Sequence, residues 1–273
     1  MKPGGKIGFL DSGLGGLITM RAIVKQLPQY NYIYLGDTAH KPYGPKPASD
    51  IRGYVQRGVS FLFDQGCELV VLTSNTASAQ ALAFVQNQFL PAYAPRRHVL
   101  GVVLPAAEAA VMATHTNRIG VLATQGTVEA HAFAEEIQEL RPEATVLQQV
   151  APELVMMIES GLHQSQEMSM FLRHYLQPLM DAKIDTLILG CSHYELIATQ
   201  ITQIVGLGVT LISDSKVMPD SVQDFLFRHS ELSHKLTQGS ERRFFYTSNP
   251  DVFAGMSQSF YGEAIVAEEA ELA

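Results

Sequence analysis

Eight short apolar runs alternate along this chain with longer stretches in which apolar residues recur three and four positions apart. The runs fall at 7–10, 32–35, 69–72, 99–103, 119–122, 145–150, 186–189 and 210–212, with a weaker ninth at 244–246. Runs this short suit buried strands better than helices. The stretches between them, at 17–27, 48–63, 76–89, 128–140, 166–182 and 215–227, open near Ser, Thr, Asp, Pro or Gln, as helices do. Strand and helix in repeated succession build a parallel sheet with helices on its faces. The expected fold class is α/β, doubly wound.

At 273 residues the chain exceeds one average domain. The segment PAYAPRR, 91–97, places two prolines and two arginines between a helix and a strand and suits a crossing between lobes. A second crossing is expected near Ser213. The expected organisation is a discontinuous first lobe, 1–98 and 213–273, with 99–212 as the second.

Composition removes several functions. The net charge is −8, from 19 basic and 27 acidic residues, and no Lys/Arg run could follow a phosphate backbone, so nucleic acid is not an expected partner. The densest acidic run, 263–269, reads as a solvated tail. No stretch approaches the ~20 apolar residues of a membrane span, and the apolar start at 7–11 is too short for a signal peptide. Two cysteines make neither a disulfide framework nor a zinc site, which fits a reducing cytoplasm and leaves no metal expected.

Two strand ends share a grammar. LVVLTSNT, from residue 69, and LILGCSH, from residue 187, each run from an apolar strand through a small linker to a hydroxyl or thiol, Ser74 or Cys191, and then to hydrogen-bonding residues that open a helix. Ligands of open α/β sheets sit outside the carboxyl ends of strands. Two lobes could thus present one such residue each to a shared cleft.

The other polar clusters admit two readings each. DSGLGG, 11–16, with Asp37 at the end of the second strand, imitates a dinucleotide fingerprint. However, Ile18 stands where the third glycine belongs, and Asp11 puts a carboxylate where a pyrophosphate would approach. A carboxylate there suits a cation such as an amino group. Asn75, Thr76 and Ser192 sit at helix starts, where they either cap or help free backbone N–H groups hold a carboxylate. Two such knots at matched strand ends favour a ligand with more than one carboxylate. Cys67 precedes a strand and reads as a small buried hydrophobe. Cys191 stands at a helix start beside His193, the surroundings that make a thiol a usable base or nucleophile. A cysteine hydrolase would also need an oxyanion hole and an oriented histidine. Glu159 reads as an ordinary helix residue, and KPYG, 41–44, as a turn.

Taken together, IGFLDSGLGGL, YIYLGDTAHKPYG, NTASAQAL and LGCSHYEL resemble, in order and spacing, the glutamate racemase family of the aspartate/glutamate racemase superfamily. The resemblance implies two Rossmann-like lobes related by a pseudo-twofold axis, with glutamate buried between them. It also implies no cofactor, a homodimer, and D-glutamate supplied for bacterial peptidoglycan. Carried onto this sequence, Asp11 and Ser12 contact the amino group, with Asp11 also assisting proton transfer. Pro42, Tyr43 and Gly44 form the binding loop, and Asn75, Thr76 and Ser192 hold the carboxylates. His193 supports Cys191, and Glu159 falls at the auxiliary acid position. Ser192 stands where the family usually has threonine and keeps the hydroxyl.

Inverting an α-carbon without a cofactor needs a base on one face and an acid on the other. The family uses two cysteines, and Ser74 occupies the first of those positions. The resemblance therefore implies a racemase whose activity Ser74 impairs. The alternatives are a single-cysteine relative with altered stereochemistry or decarboxylase activity, and a catalytically silent amino-acid-binding or protein-inhibiting homologue.

Overall fold

The computed structural model describes residues 4–272; the ends of the expected first lobe, 1–3 and 273, lie outside the described residues. The strands are β1 (Lys6–Asp11), β2 (Tyr32–Gly36), β3 (Cys67–Leu72), β4 (His98–Gly101), β5 (Arg118–Ala123), β6 (Thr145–Val150), β7 (Thr186–Gly190), β8 (Thr210–Ile212), β9 (Arg242–Tyr246) and β10 (Ala267–Glu269). They form two sheets, ordered β10-β9-β2-β1-β3-β4 and β6-β5-β7-β8. Every pairing between these strands is parallel. Both faces of such sheets are covered by helices, which is why β1 and β3 read as near-continuous apolar runs.

The order β2-β1-β3-β4 recurs as β6-β5-β7-β8, so the α/β doubly wound class and the paired lobes are realised as one strand pattern used twice. Register aligns the carboxyl ends within each lobe: Leu10 lies beside Leu72, and Ala123 beside Gly190. The loops that leave β1 and β3, and those that leave β5 and β7, therefore start at matched levels, at the switch points where doubly wound sheets bind ligands. One apolar cluster joins the lobes, from Ile7 and Leu17 in the first to Leu187 and Tyr194 in the second. Helix Asp214–Arg228 returns to helix Gly16–Gln26, where Gln26 Nε2 donates to Asp220 and Gln223.

Several local expectations are corrected. Residues 98–101 pair with β3 in the first sheet, so the boundary expected after 98 cuts through β4 and those residues belong with the first lobe. The apolar run 99–103 splits because Val103 already starts the helix Val103–Ala113. That helix tolerates Pro105 in its first turn and continues through alanines of high helix propensity. The stretch 128–140 breaks into Gln125–Glu129 and Ala132–Leu140 around His131, whose φ of 54° is left-handed. Helix Asn75–Phe84 continues as a π-helical turn, Val85–Phe89. The acidic run expected as a solvated tail contains β10, an edge strand parallel to β9. There Glu268 accepts from Arg243 Nε and Nη2 at 3.0 and 2.9 Å. Charge on the outer edge lets the strand pair on one side only.

Candidate active site

Four strand ends converge on one cavity. It is lined by Ser12, Pro42, Tyr43, Gly44, Ser74, Asn75, Thr76, Thr124, Val155, Cys191, Ser192 and His193. Ten of the twelve expected site residues thus lie on one wall system, although Ser12 and His193 are separated by most of the chain. Its clear space is about 30 Å³, room for one or two waters. Asp11 and Glu159, the other two, stand behind the lining and act on it through hydrogen bonds.

Asp11 ends β1 and is fully buried. Its Oδ1 accepts from the Gly13 N–H at 2.9 Å, and its Oδ2 from Thr73 Oγ1 at 3.3 Å and Ser192 Oγ at 3.4 Å. Burial raises its pKa, opposed by the charge of His193 and by these donors. The glycines at the start of helix Gly16–Gln26, Gly15 before it and Gly16 its first residue, have a packing reason. A Cβ at Gly15 would lie 2.2 Å from Ser192 Oγ and 2.6 Å from His193 Nδ1; one at Gly16 would lie 2.1 Å from Thr73 Oγ1. The motif that imitates a nucleotide loop is a notch that admits the other lobe's side chains. Gly15→Ala is expected to cost about 1–3 kcal/mol of stability by overpacking, read by urea unfolding, and to displace Ser192 and His193 together.

The loop 41–44 is fastened from below. Buried Asp37 accepts from Tyr43 Oη at 2.6 Å and Thr247 Oγ1 at 2.8 Å, and meets His40 Nδ1 at 2.9 Å. From above, the Gly126 N–H donates to the Gly44 carbonyl at 2.8 Å, closing the loop onto the second lobe. A Cβ at Gly126 would lie 2.8 Å from that carbonyl oxygen.

Ser74 caps helix Asn75–Phe84, its Oγ accepting from the Ala77 N–H at 3.3 Å. Thr76 Oγ1 lies 2.8 Å from Thr124 Oγ1 and 3.2 Å from Thr127 Oγ1, a hydroxyl cluster that spans both lobes. Asn75 Nδ2 donates to Asp214 Oδ2 at 2.7 Å. In the second lobe, Cys191 precedes the expected helix, which begins as a 3₁₀ helix, Ser192–Ile197, and continues as the α-helix Ala198–Val205. Cys191 and Ser74 are 8% and 5% exposed, so both face the cavity from dry surroundings.

A chain of ionic groups backs Cys191. Its Sγ is 3.9 Å from His193 Nδ1; His193 Nε2 is 3.1 Å from Glu159 Oε1; and Lys41 Nζ donates to Glu159 Oε2 at 2.6 Å. Burial by itself would lower the His193 pKa, but its hydrogen bonds to Cys191 and Glu159 overcome this and raise it to about 10. Burial by itself would raise Glu159, but His193 and Lys41 pull it down to about 2. A cation at His193 is placed to attract negative charge on the sulfur.

The sign of each shift fixes a stability window. The raised His193 value contributes stability that is fully present below 6.5 and lost as pH rises through about 10. The lowered Glu159 value contributes stability present above 4.5 and lost as pH falls through about 2. Glu159→Gln is expected to cost about 1–3 kcal/mol near neutrality. In urea titrations the gap from the parent should be widest at about pH 4.5–6.5, where both contributions are full, and close as pH rises toward 10.

By contrast, Cys67 is fully buried in the first lobe's core, and burial pushes its thiol up to about 12. Reading the sequence did not find Thr124, Val155, Lys41 or Asp214. Thr124 had a signal: in the repeated pattern, the end of β5 matches the end of β1, where Asp11 sits. The others are brought in by packing between distant segments. No group of three His, Cys, Asp or Glu side chains placed to hold a metal occurs among the described residues.

The Asp/Glu/Hydantoin racemase family matches residues 15–217. A glutamate racemase of Symbiobacterium thermophilum is 40% identical over 247 residues, covering 90% of this chain and 87% of that one. One from Streptococcus suis is 36% identical over 268 residues, covering 97% and 98%. The crystal structure of a glutamate racemase isoform from Bacillus anthracis superposes with a TM-score of 0.90 at 31% identity, covering 98% of each chain. That of the Francisella tularensis glutamate racemase in complex with D-glutamate gives 0.86 at 30% identity, covering 99% of this chain and 97% of that one.

Proposed function

The chain belongs to the Asp/Glu/Hydantoin racemase family, and on that premise we propose that its cavity takes glutamate and inverts its α-carbon without a cofactor. The observation that carries this reading is the placement of one thiol, Cys191, and one hydroxyl, Ser74, at equivalent strand ends of two lobes, lining a single cavity. Proton transfer to both faces of one carbon needs that arrangement. The relatives' shared name favours it over a decarboxylase or a silent binder.

In this reading Asn75, Thr76 and Ser192 hold the carboxylates, with Thr124 completing the hydroxyl cluster. Asp11 and Ser12 take the amino group; an ammonium brought beside buried Asp11 compensates the cost of its ionised form. Cys191, with His193 behind it and Glu159 and Lys41 behind that, removes the α-proton of L-glutamate as a thiolate. Glu159 orients His193 and holds its charge, acting through it rather than on substrate. Water exclusion and surrounding donors stabilise the carbanion.

Ser74 serves the other face. Its hydroxyl can donate a hydrogen bond but is far less acidic than a thiol near about 8.5, so delivering a full proton leaves a costly alkoxide. The expected racemase is slow and lopsided. Entry of an amino acid into so small a space requires the cavity to widen.

The biological reading follows the same premise: D-glutamate made in the cytoplasm for peptidoglycan, by a homodimer. No helix among the described residues is long and apolar enough to cross a membrane. Titration calorimetry with L-glutamate, D-glutamate and both aspartates tests the substrate. Glutamate binding at least about tenfold tighter than aspartate supports it, and aspartate preference sinks it.

A further inference from the structure

Beneath the cavity floor, where the chain returns from the second lobe, three buried polar atoms lack hydrogen-bond partners: Asn75 Oδ1, Asp214 Oδ1 and Ser213 Oγ. Asn75 begins the helix after β3, and Asp214 begins the helix after β8, 139 positions later. They are 2% and 4% exposed and are joined by one hydrogen bond, from Asn75 Nδ2 to Asp214 Oδ2. Asn75 lines the cavity; Asp214 does not. Buried polar groups are nearly always paired, so two half-used groups in contact mark a place built for another partner or a second arrangement.

We propose that Asp214 is a positioning residue for substrate, fixing from behind the direction in which the amide of Asn75 meets a glutamate carboxylate. The inference rests on the reading of this cavity as a glutamate site.

Two arrangements of the pair are chemically possible. With one N–H of Nδ2 donated to Asp214, a single N–H remains, and the amide's other edge is the unpaired carbonyl oxygen, an acceptor that repels a carboxylate. With the amide turned, a protonated Asp214 donates to Asn75 Oδ1, and Nδ2 is released to hold the substrate's carboxylate. The nitrogen and oxygen of an amide are assigned from such networks, and only a neutral acid serves both arrangements. The surroundings favour that neutral acid. Burial pushes Asp214 well up, its hydrogen bond with Asn75 opposes this, and Glu195 and Asp11 add to the rise. Glu195 is itself occupied, accepting from Ser215 Oγ at 2.7 Å. An ionised Asp214 would instead hold one N–H of Nδ2, keep the amide in the first arrangement and place a second anion behind the substrate's own.

The test is the calorimetric Kd for D-glutamate, with α-proton exchange at saturating glutamate as the second readout. Asp214→Asn offers a donor group and an acceptor with no charge, and should stay within about threefold of the parent in both. Asp214→Ala should weaken binding by about tenfold or more while exchange at saturation stays within about threefold. In an Asn75→Ala background it should add less than about twofold, since the two act as a unit. An unchanged Kd in Asp214→Ala, or a loss that adds in full to that of Asn75→Ala, overturns the inference. Should Asp214→Ala not fold, Asp214→Asn decides: retained affinity supports it and a tenfold loss overturns it. A parent that binds no glutamate sinks the glutamate reading itself, a result distinct from a parent that binds and variants that do not differ.

Discussion

Ser74→Cys is expected to accelerate α-proton exchange from D-glutamate by about 10²- to 10⁴-fold, the usual worth of one general acid/base. The change is nearly isosteric at a buried helix cap, where Ser74 Oγ accepts only a long hydrogen bond of 3.3 Å from the Ala77 N–H. Losing that cap should cost about 1 kcal/mol at most, so the variant should fold. Exchange from L-glutamate should rise far less, because Cys191 already serves that face. Deuterium incorporation followed by proton NMR reads both rates. A cysteine at 74 that leaves the D-glutamate rate within about threefold would show that the first strand end takes no part in proton transfer.

The second large effect lies on the opposite wall. Cys191→Ala removes the only thiol that lines the cavity and should lower exchange from L-glutamate by about 10²- to 10⁴-fold. Glutamate affinity should stay within about threefold, since the carboxylate cradle of Asn75, Thr76 and Ser192 is untouched. The control is Cys67→Ala: that thiol is in the core with its ionisation suppressed. It should cost stability and leave exchange unchanged. The same chemistry in both cysteine variants would mean that Cys191 is not the base.

The parts of this molecule that could be read from residues alone are those governed by local period. The strands at 7–10, 69–72 and 186–189 were legible because a strand buried on both faces must be apolar throughout. The two polar knots were legible because each interrupts such a run at its carboxyl end. The helix at Val103–Ala113 was not, since VVLPAA joins strand to helix without a polar break and periodicity cannot divide one apolar run. β10 was hidden by its own charge, which reads as tail until Arg243 on β9 is placed beside Glu268. The same limit applies in the site. Ser74, Cys191 and His193 announce themselves by chemistry and position. Asp37, Lys41 and Asp214 matter through partners that only the fold supplies, and a lone Asp or Lys in a loop carries no mark of them. The glycines of GLGG are the instructive middle case. Their presence suggested a tight turn, but the reason for it at Gly15 is the hydroxyl and imidazole that arrive from the other lobe.

The most direct test is exchange in D₂O by the unaltered chain, started separately from each enantiomer of glutamate. Cys191 as the sole thiolate with Ser74 opposite requires L-glutamate to exchange its α-proton at least about tenfold faster than D-glutamate at saturation. Accumulation of the inverted, deuterated D-isomer should be slower still. Equal rates from the two enantiomers would mean that Ser74 is as good a base as a thiol, and exchange from neither would mean that the cavity does not perform this chemistry; either result contradicts a racemase working with one cysteine.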